Sequence, residues 1–176
     1  MRKVILYIAS SLDGYIAGAD DNLSFLSMVE EKGEDYGYSE FTGTVDTVIL
    51  GRKTNDWVMD RVSEFPHNGT ETYVLTRTPR EGYGTIKFYT GNLKELVLRL
   101  RQKKGKNIFI DGGAEVVNSL LKYNLIDEFR ISVIPVLLGG GIRLFRDNRP
   151  QQKLKLVDAR TYNKGLVQLH YTSLIP

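Results

Sequence analysis

The chain has 176 residues, enough for one compact domain spanning 1–176, and its 41% apolar and 26% charged residues are those of an ordered globular protein. A net charge of +3 suits a basic pocket for a phosphorylated ligand but is too small to point to nucleic acid. With no cysteine, disulfides, zinc knuckles and thiol nucleophiles are excluded and a reducing cytoplasm is expected, and no stretch approaches the ~20 apolar residues of a membrane span.

Lys3 to Ala9 is nearly continuously apolar and reads as a first strand covered on both faces. Ser10 to Asn22 is a loop rich in glycine and aspartate, and Leu23 to Tyr36 is expected to hold a helix whose end is blurred by Gly33 and an acidic run. Val45 to Leu50 is a second strand, followed by a helix over Lys53 to Asp60. Thr72 to Arg77 is a third strand and Ile86 to Tyr89 a fourth. Asn92 to Lys104 has the clearest helical signature, with Asn92 as cap and Leu93, Leu96, Val97 and Leu100 at helical spacing. Its basic end, Arg101 to Lys104 before Gly105, reads as a solvated helix terminus rather than a nucleic-acid patch. Asn107 to Asp111 is a fifth strand and Ala114 to Tyr123 a helix. Glu128 to Val136 is a sixth strand, and Leu154 to Tyr162 with Leu166 to Leu174 form a closing hairpin.

This order predicts an α/β fold of three layers: a mostly parallel, twisted sheet of about eight strands, an antiparallel C-terminal hairpin, and helices on both faces. Such sheets bind ligands at the carboxyl ends of their strands. Three of those ends share one chemistry: Gly51-Arg52-Lys53-Thr54, Thr76-Arg77, and Gly112-Gly113-Ala114. Two open into helices whose first N–H groups lack partners, glycine admits an anion close to the backbone, and arginine grips phosphate with a planar fork. Each alone is equally a plain turn; their repetition on one sheet edge fits a ligand with several phosphates. Neither a dinucleotide G-x-G-x-x-G nor a P-loop is present.

Taken with Ser11-Leu12-Asp13-Gly14-Tyr15-Ile16-Ala17 and Pro135-Val136-Leu137-Leu138-Gly139-Gly140-Gly141, these motifs resemble, in order and over essentially the whole chain, the dihydrofolate-reductase-like superfamily. They are most like the reductase domain of bifunctional riboflavin-biosynthesis proteins and its stand-alone bacterial relatives. The resemblance implies NADPH as cofactor and a homodimer. It places Arg52, Lys53 and Thr54 on the adenosine-side phosphates, with Gly51 also among the cofactor-binding residues, and Thr76 and Arg77 beside the 2′-phosphate. Gly112, Gly113, Ala114 and Val116 would line the pyrophosphate, often with a cis bond between the glycines. Ala9, Ile16 and Ala17 would border the nicotinamide.

Candidates for a proton donor are Asp35, in the acidic run, and Asp13, which reads first as the Asp of an Asp-Gly turn and only second as the acid. Arg143 and Arg130 are candidate contacts for a substrate phosphate. His67 and His170 fit no zinc pattern, and no metal is expected. The expected activity is an NADPH-dependent reduction like that of 5-amino-6-(5-phosphoribosylamino)uracil; the alternatives are a dihydrofolate- or pterin-type reductase and a non-catalytic NADPH-binding protein. Residues 18–44 lack the Trp and Pro of folate reductases, which sets that pterin pocket apart.

Overall fold

The structure is a computed structural model that describes residues 1–62 and 65–174. In chain order the elements are β1 (Val4–Ser11), β2 (Tyr15–Ala17), α1 (Tyr38–Thr42), β3 (Val45–Gly51), α2 (Arg52–Met59), β4 (Glu71–Leu75), β5 (Ile86–Tyr89), α3 (Leu93–Gln102), β6 (Asn107–Gly112), α4 (Ala114–Leu121), β7 (Glu128–Ile134), β8 (Ile142–Arg143), β9 (Leu154–Thr161) and β10 (Val167–Ser173). Eight strands form one sheet in the order β5-β4-β3-β6-β1-β7-β10-β9. The first six are mutually parallel, and β10 and β9 join antiparallel, as the sequence pattern requires.

Alternation along the central strands divides the core. Val4, Leu6, Ile49, Ile108 and Ile110 face one side, where Leu96, Val97 and Leu100 of α3 and Val116, Val117, Leu120 and Leu121 of α4 cover them. Ile5, Val48, Leu50 and Phe109 face the other side and pack on Phe41 of α1. α3 forms where expected because Asn92 caps it, its side chain accepting the Glu95 N–H at 3.2 Å.

Three segments differ from the sequence reading. The helix expected over residues 23–36 is a 3-10 stretch, Ser24–Val29, followed by turns and then α1. Phe25 and Val29 do point inward, but Gly33, Tyr36 and Gly37 have positive φ, which no helix continues through. The Asp35 carboxylate instead accepts the N–H groups of Gly37 and Ser39 and starts α1. The loop after β1 is also not structureless, since β2 pairs antiparallel with β8 just beyond the triple glycine. Finally, the third strand stops at Leu75, so Thr76 and Arg77 follow it rather than end it.

Candidate functional site

The strand order places β4, β3 and β6 side by side and parallel, so the three strand ends picked out from the sequence share one edge. At β3, Gly51 begins α2 with no side-chain cap on the helix N-terminus; at β6, Gly113 begins α4 in the same way. The two N-termini converge. A Cβ on Gly113 would lie 3.3 Å from Thr54 Oγ1, and one on Gly51 would lie 3.5 Å from Val116 Cγ2 and 3.8 Å from the Gly113 nitrogen. Gly112 has φ +109°, open to glycine and strained for other residues, and its bond to Gly113 is cis, as the resemblance implied. Uncapped donors on two helices, with backbone close enough that a side chain would intrude, form a cradle for oxyanions.

The cations around this cradle are held to different degrees. Arg52 is drawn to Asp56 at 2.6 Å, and Arg80 approaches the same carboxylate at 3.5 Å. Lys53 and Arg77 are exposed, and among the described residues their side chains make no hydrogen bond or ion pair. Thr76 folds its hydroxyl onto the backbone of Thr78, at 3.0 Å to the carbonyl and 3.2 Å from the N–H, closing the turn that carries Arg77. Within α2, Asn55 is buried and its Oδ1 lacks a partner, an orphaned acceptor one turn from the helix N-terminus. The donors, the glycine approach and the free cations together fit a phosphorylated dinucleotide.

Next to the cradle the sheet splits. β1 and β6 pair only from Val4 and Ile108 to Leu6 and Ile110, although β1 continues along β7 to Ser11 and β6 along β3 to Gly112. Their chains also leave toward opposite faces, β1 toward α1 and β6 into α4, which makes this gap a topological switch point. Ala9 lines its β1 side on the α1 face, Ile16 packs into the α3–α4 core, and Ala17 is buried in β2.

The floor beside the gap is polar, and the sequence pattern did not reveal it. Tyr7, Arg130 and His170 stand in one row across the α1 face and Ser132 and Gln168 in the next, with Asp111 across the split on β6. Tyr7 donates to the Tyr36 carbonyl at 2.9 Å and accepts from Gln168 Nε2 at 2.9 Å. Burial raises the Tyr7 hydroxyl above its ordinary pKa. His67, 6% exposed and edge-on to Phe65 and Phe109, meets Asp111 Oδ2 through Nε2 at 2.9 Å. Since a carboxylate only accepts, that ring nitrogen carries the proton. The other Asp111 oxygen takes no hydrogen bond among the described residues. Tyr38 faces the same carboxylate, and its hydroxyl pKa is pushed up, first by burial and then by the Asp111 charge.

The two carboxylates named from sequence as proton donors serve turns instead. Asp13 accepts from Ser11 Oγ at 2.6 Å and from the N–H groups of Leu138 at 3.1 Å and Gly139 at 2.8 Å. These bonds, the Ser11 hydroxyl foremost, lower its pKa to about 2. Asp35 is likewise lowered by its bonds to Ser39, first among them that side chain. A group held as carboxylate makes a poor acid near neutrality. Asp13 thereby locks the loop after β1 to the triple glycine, a junction so close that a Cβ on Gly141 would overlap the Ala17 carbonyl. Arg143 sits on this loop pair, its Nη2 3.3 Å from the Tyr15 hydroxyl, and Arg130 lies on the floor. Among the described residues no cluster of His, Cys, Asp and Glu could hold a metal ion, and no helix is long and apolar enough to cross a membrane.

Comparison with known proteins agrees with this geometry. Residues 2–168 match the model of the RibD C-terminal domain. The chain is 45% identical over 172 residues to the uncharacterized protein YwjB of Bacillus subtilis, covering 97% of each. It is 33% identical to the uncharacterized protein YyaP of the same organism, over 97% of this chain and 94% of that protein. Among solved structures, a putative riboflavin biosynthesis protein from Shewanella sp. PV-4 has a TM-score of 0.88 at 30% identity, over 98% of this chain and 99% of that one. A diaminohydroxyphosphoribosylaminopyrimidine deaminase/5-amino-6-(5-phosphoribosylamino)uracil reductase from Thermotoga maritima shares the fold, with a TM-score of 0.71 at 15% identity, 98% of this chain matching 56% of that one. On the match along residues 2–168 and these full-length similarities, the chain belongs to the RibD C-terminal domain family.

Proposed function

We propose that the protein is an NADPH-dependent reductase, most like the 5-amino-6-(5-phosphoribosylamino)uracil reductase of riboflavin biosynthesis. The observation that carries this reading is the pairing of the two uncapped, glycine-lined helix N-termini with the adjacent split between β1 and β6. Backbone N–H groups at the starts of α2 and α4 would hold the pyrophosphate, and Lys53 and Arg77, which have no internal partners, the 2′-phosphate. No acidic residue follows β3 or β4 directly to take a ribose 2′-OH instead. Bound there, NADPH supplies a hydride from its nicotinamide ring to a substrate in the split. On the substrate side, Asp111 grips an N–H or O–H of the substrate through its free oxygen while His67 fixes the other. The Asp13-locked loop screens the site from water.

The test has two stages. NADPH and NADH are titrated against Trp57 fluorescence in α2, with NADPH expected to bind clearly tighter. Arg77→Ala should weaken NADPH roughly 10–100-fold, the worth of a charge-assisted contact, while leaving NADH nearly unchanged. Equal losses would remove Arg77 from the 2′-phosphate. NADPH oxidation is then followed with the riboflavin-pathway pyrimidine and, separately, with dihydrofolate. Turnover of dihydrofolate alone would replace the pyrimidine reading, and silence with both would leave a cofactor-binding protein.

A further inference from the structure

Arg130 is a cation whose place in the fold is unexplained by any internal partner. It lies mid-strand in β7, between Tyr7 and His170 in register, on the face covered by α1. Its guanidinium carbon sits 5.4 Å from the Phe41 ring centre. Its Nε is buried without a hydrogen bond, and neither terminal nitrogen has a hydrogen-bond or ion-pair partner among the described residues. The carboxylate two residues earlier on the same face is already committed, for Glu128 receives Lys3 Nζ at 2.5 Å and faces His170 Nε2 at 3.2 Å. A guanidinium stays protonated in any site and presents its donors in a flat fork suited to two oxygens of one group. Only Nε pays the cost of burial without a partner, while the terminal nitrogens reach solvent with no protein partner and are free to take an anion from beside the split.

We infer that Arg130 anchors an oxyanion subsite on the floor beside the β1–β6 split, which binds a phosphate or carboxylate carried by the molecule to be reduced. This rests on the reading of the split as the seat of that molecule. The subsite is separate from the cofactor cradle, since Arg130 lies on β7, beyond β1 from the strand ends that form the cradle. The Phe41 ring lies against the guanidinium, with Tyr7 beside Arg130 in register on β1 and Ser132 two residues on along β7. Arg143, the other arginine on the substrate side, is less suited to the task. It rides on the two-residue strand β8, exposed, and already leans on the Tyr15 hydroxyl and ring.

Calorimetric titration of the full chain with inorganic phosphate and with acetate, each with and without saturating NADPH, tests this. The expected result is one site for one of the two anions that persists under NADPH. Its dissociation constant should rise at least tenfold in Arg130→Met, partly recover in Arg130→Lys, and stay within twofold in Arg160→Gln on β9, whose guanidinium is already paired with Asp158. Whichever anion binds names the group. Thermal unfolding gives a second readout that a packing role would not share. Without anion, Arg130→Met should melt at or above the wild-type temperature, because an unpaired guanidinium has gone, and the anion-induced rise should vanish. Four outcomes overturn the inference. They are undiminished anion binding in Arg130→Met; no binding of either anion to wild type at millimolar concentration; loss confined to Arg143→Gln; and a changed oligomeric state in Arg130→Met without any effect on anion binding, which would make a carboxylate of a second copy the partner. None of these depends on turnover or on NADPH binding, so failure of the cofactor reading would leave the result interpretable.

Discussion

The rim of the site and its floor are built on different principles. The rim, at the ends of β4, β3 and β6, offers backbone N–H groups, glycines and exposed cations, each within a few residues of a strand end. The floor offers side chains from β1, β6, β7 and β10 that meet only through register: Tyr7 beside Arg130, Arg130 beside His170, Ser132 beside Gln168. A backbone cradle recognises what phosphates share and suits a common cofactor. A floor of side chains can be changed one residue at a time, and it is where members of one fold would come to differ in substrate.

That contrast can be broken from either side. The largest effect is expected on the rim. Gly112→Val would place a β-branched side chain at φ +109° in the cradle, next to Ile8 Cδ1, which stands 3.5 Å from where its Cβ would be. We expect NADPH binding to fall beyond ~100-fold, the equivalent of losing about 3 kcal/mol, with a further strain cost of roughly 1–3 kcal/mol to folding. Trp57 titration reads the first and denaturant unfolding the second; retained NADPH affinity in a folded variant would show that the cofactor lies elsewhere. On the floor, Asp111→Asn should leave NADPH affinity within twofold and lower kcat/KM for the turned-over substrate by roughly 10–100-fold, the worth of one hydrogen bond to a charged group. If it instead weakened NADPH as Gly112→Val does, rim and floor would be one site and the distinction would fail.

The same contrast explains what could be read before the structure. The parallel strands are legible because buried strands are continuous apolar runs, such as Ile108 to Ile110, and the rim is legible because Gly51-Arg52 and Gly112-Gly113 carry their chemistry locally. Phe25 and Val29, four apart, imitate a helix, and the positive φ values at Gly33, Tyr36 and Gly37 that break it leave only two glycines as a hint. β2 and β8 are too short, at three residues and two, for any periodicity to show. Arg130 could be named for its charge, but not its lack of a partner, which depends on Glu128 being taken up by Lys3, just before β1, and His170 of β10. The His67–Asp111 pair needs the segment after α2 to lie over β6, 44 residues away, and no local signal encodes that.

The smallest effect expected is on the loop that joins rim to floor, and its sign can be worked out. Asp13 has a folded pKa of about 2 against an ordinary 3.8, held down first by the Ser11 hydroxyl and then by the Gly139 and Leu138 N–H groups. A lowered native pKa means the folded loop binds the proton less readily than the open one. Its contribution is therefore present in full above the ordinary value and is lost as pH falls through about 2. The carboxylate is solvent-accessible, so the effect should be local, seen in the amides of Leu138 and Gly139 rather than in global unfolding. Amide hydrogen exchange of Asp13→Asn against wild type, compared at matched pH, should show faster exchange of those two amides at neutral pH. The gap should close as the pH nears the native pKa, because the wild-type carboxylate then takes up its proton and ceases to accept both bonds. A gap that stays constant over that range would mean the loop is held by its backbone pairing, Leu12 to Val136 and Leu144 to Gly14, rather than by the Asp13 charge.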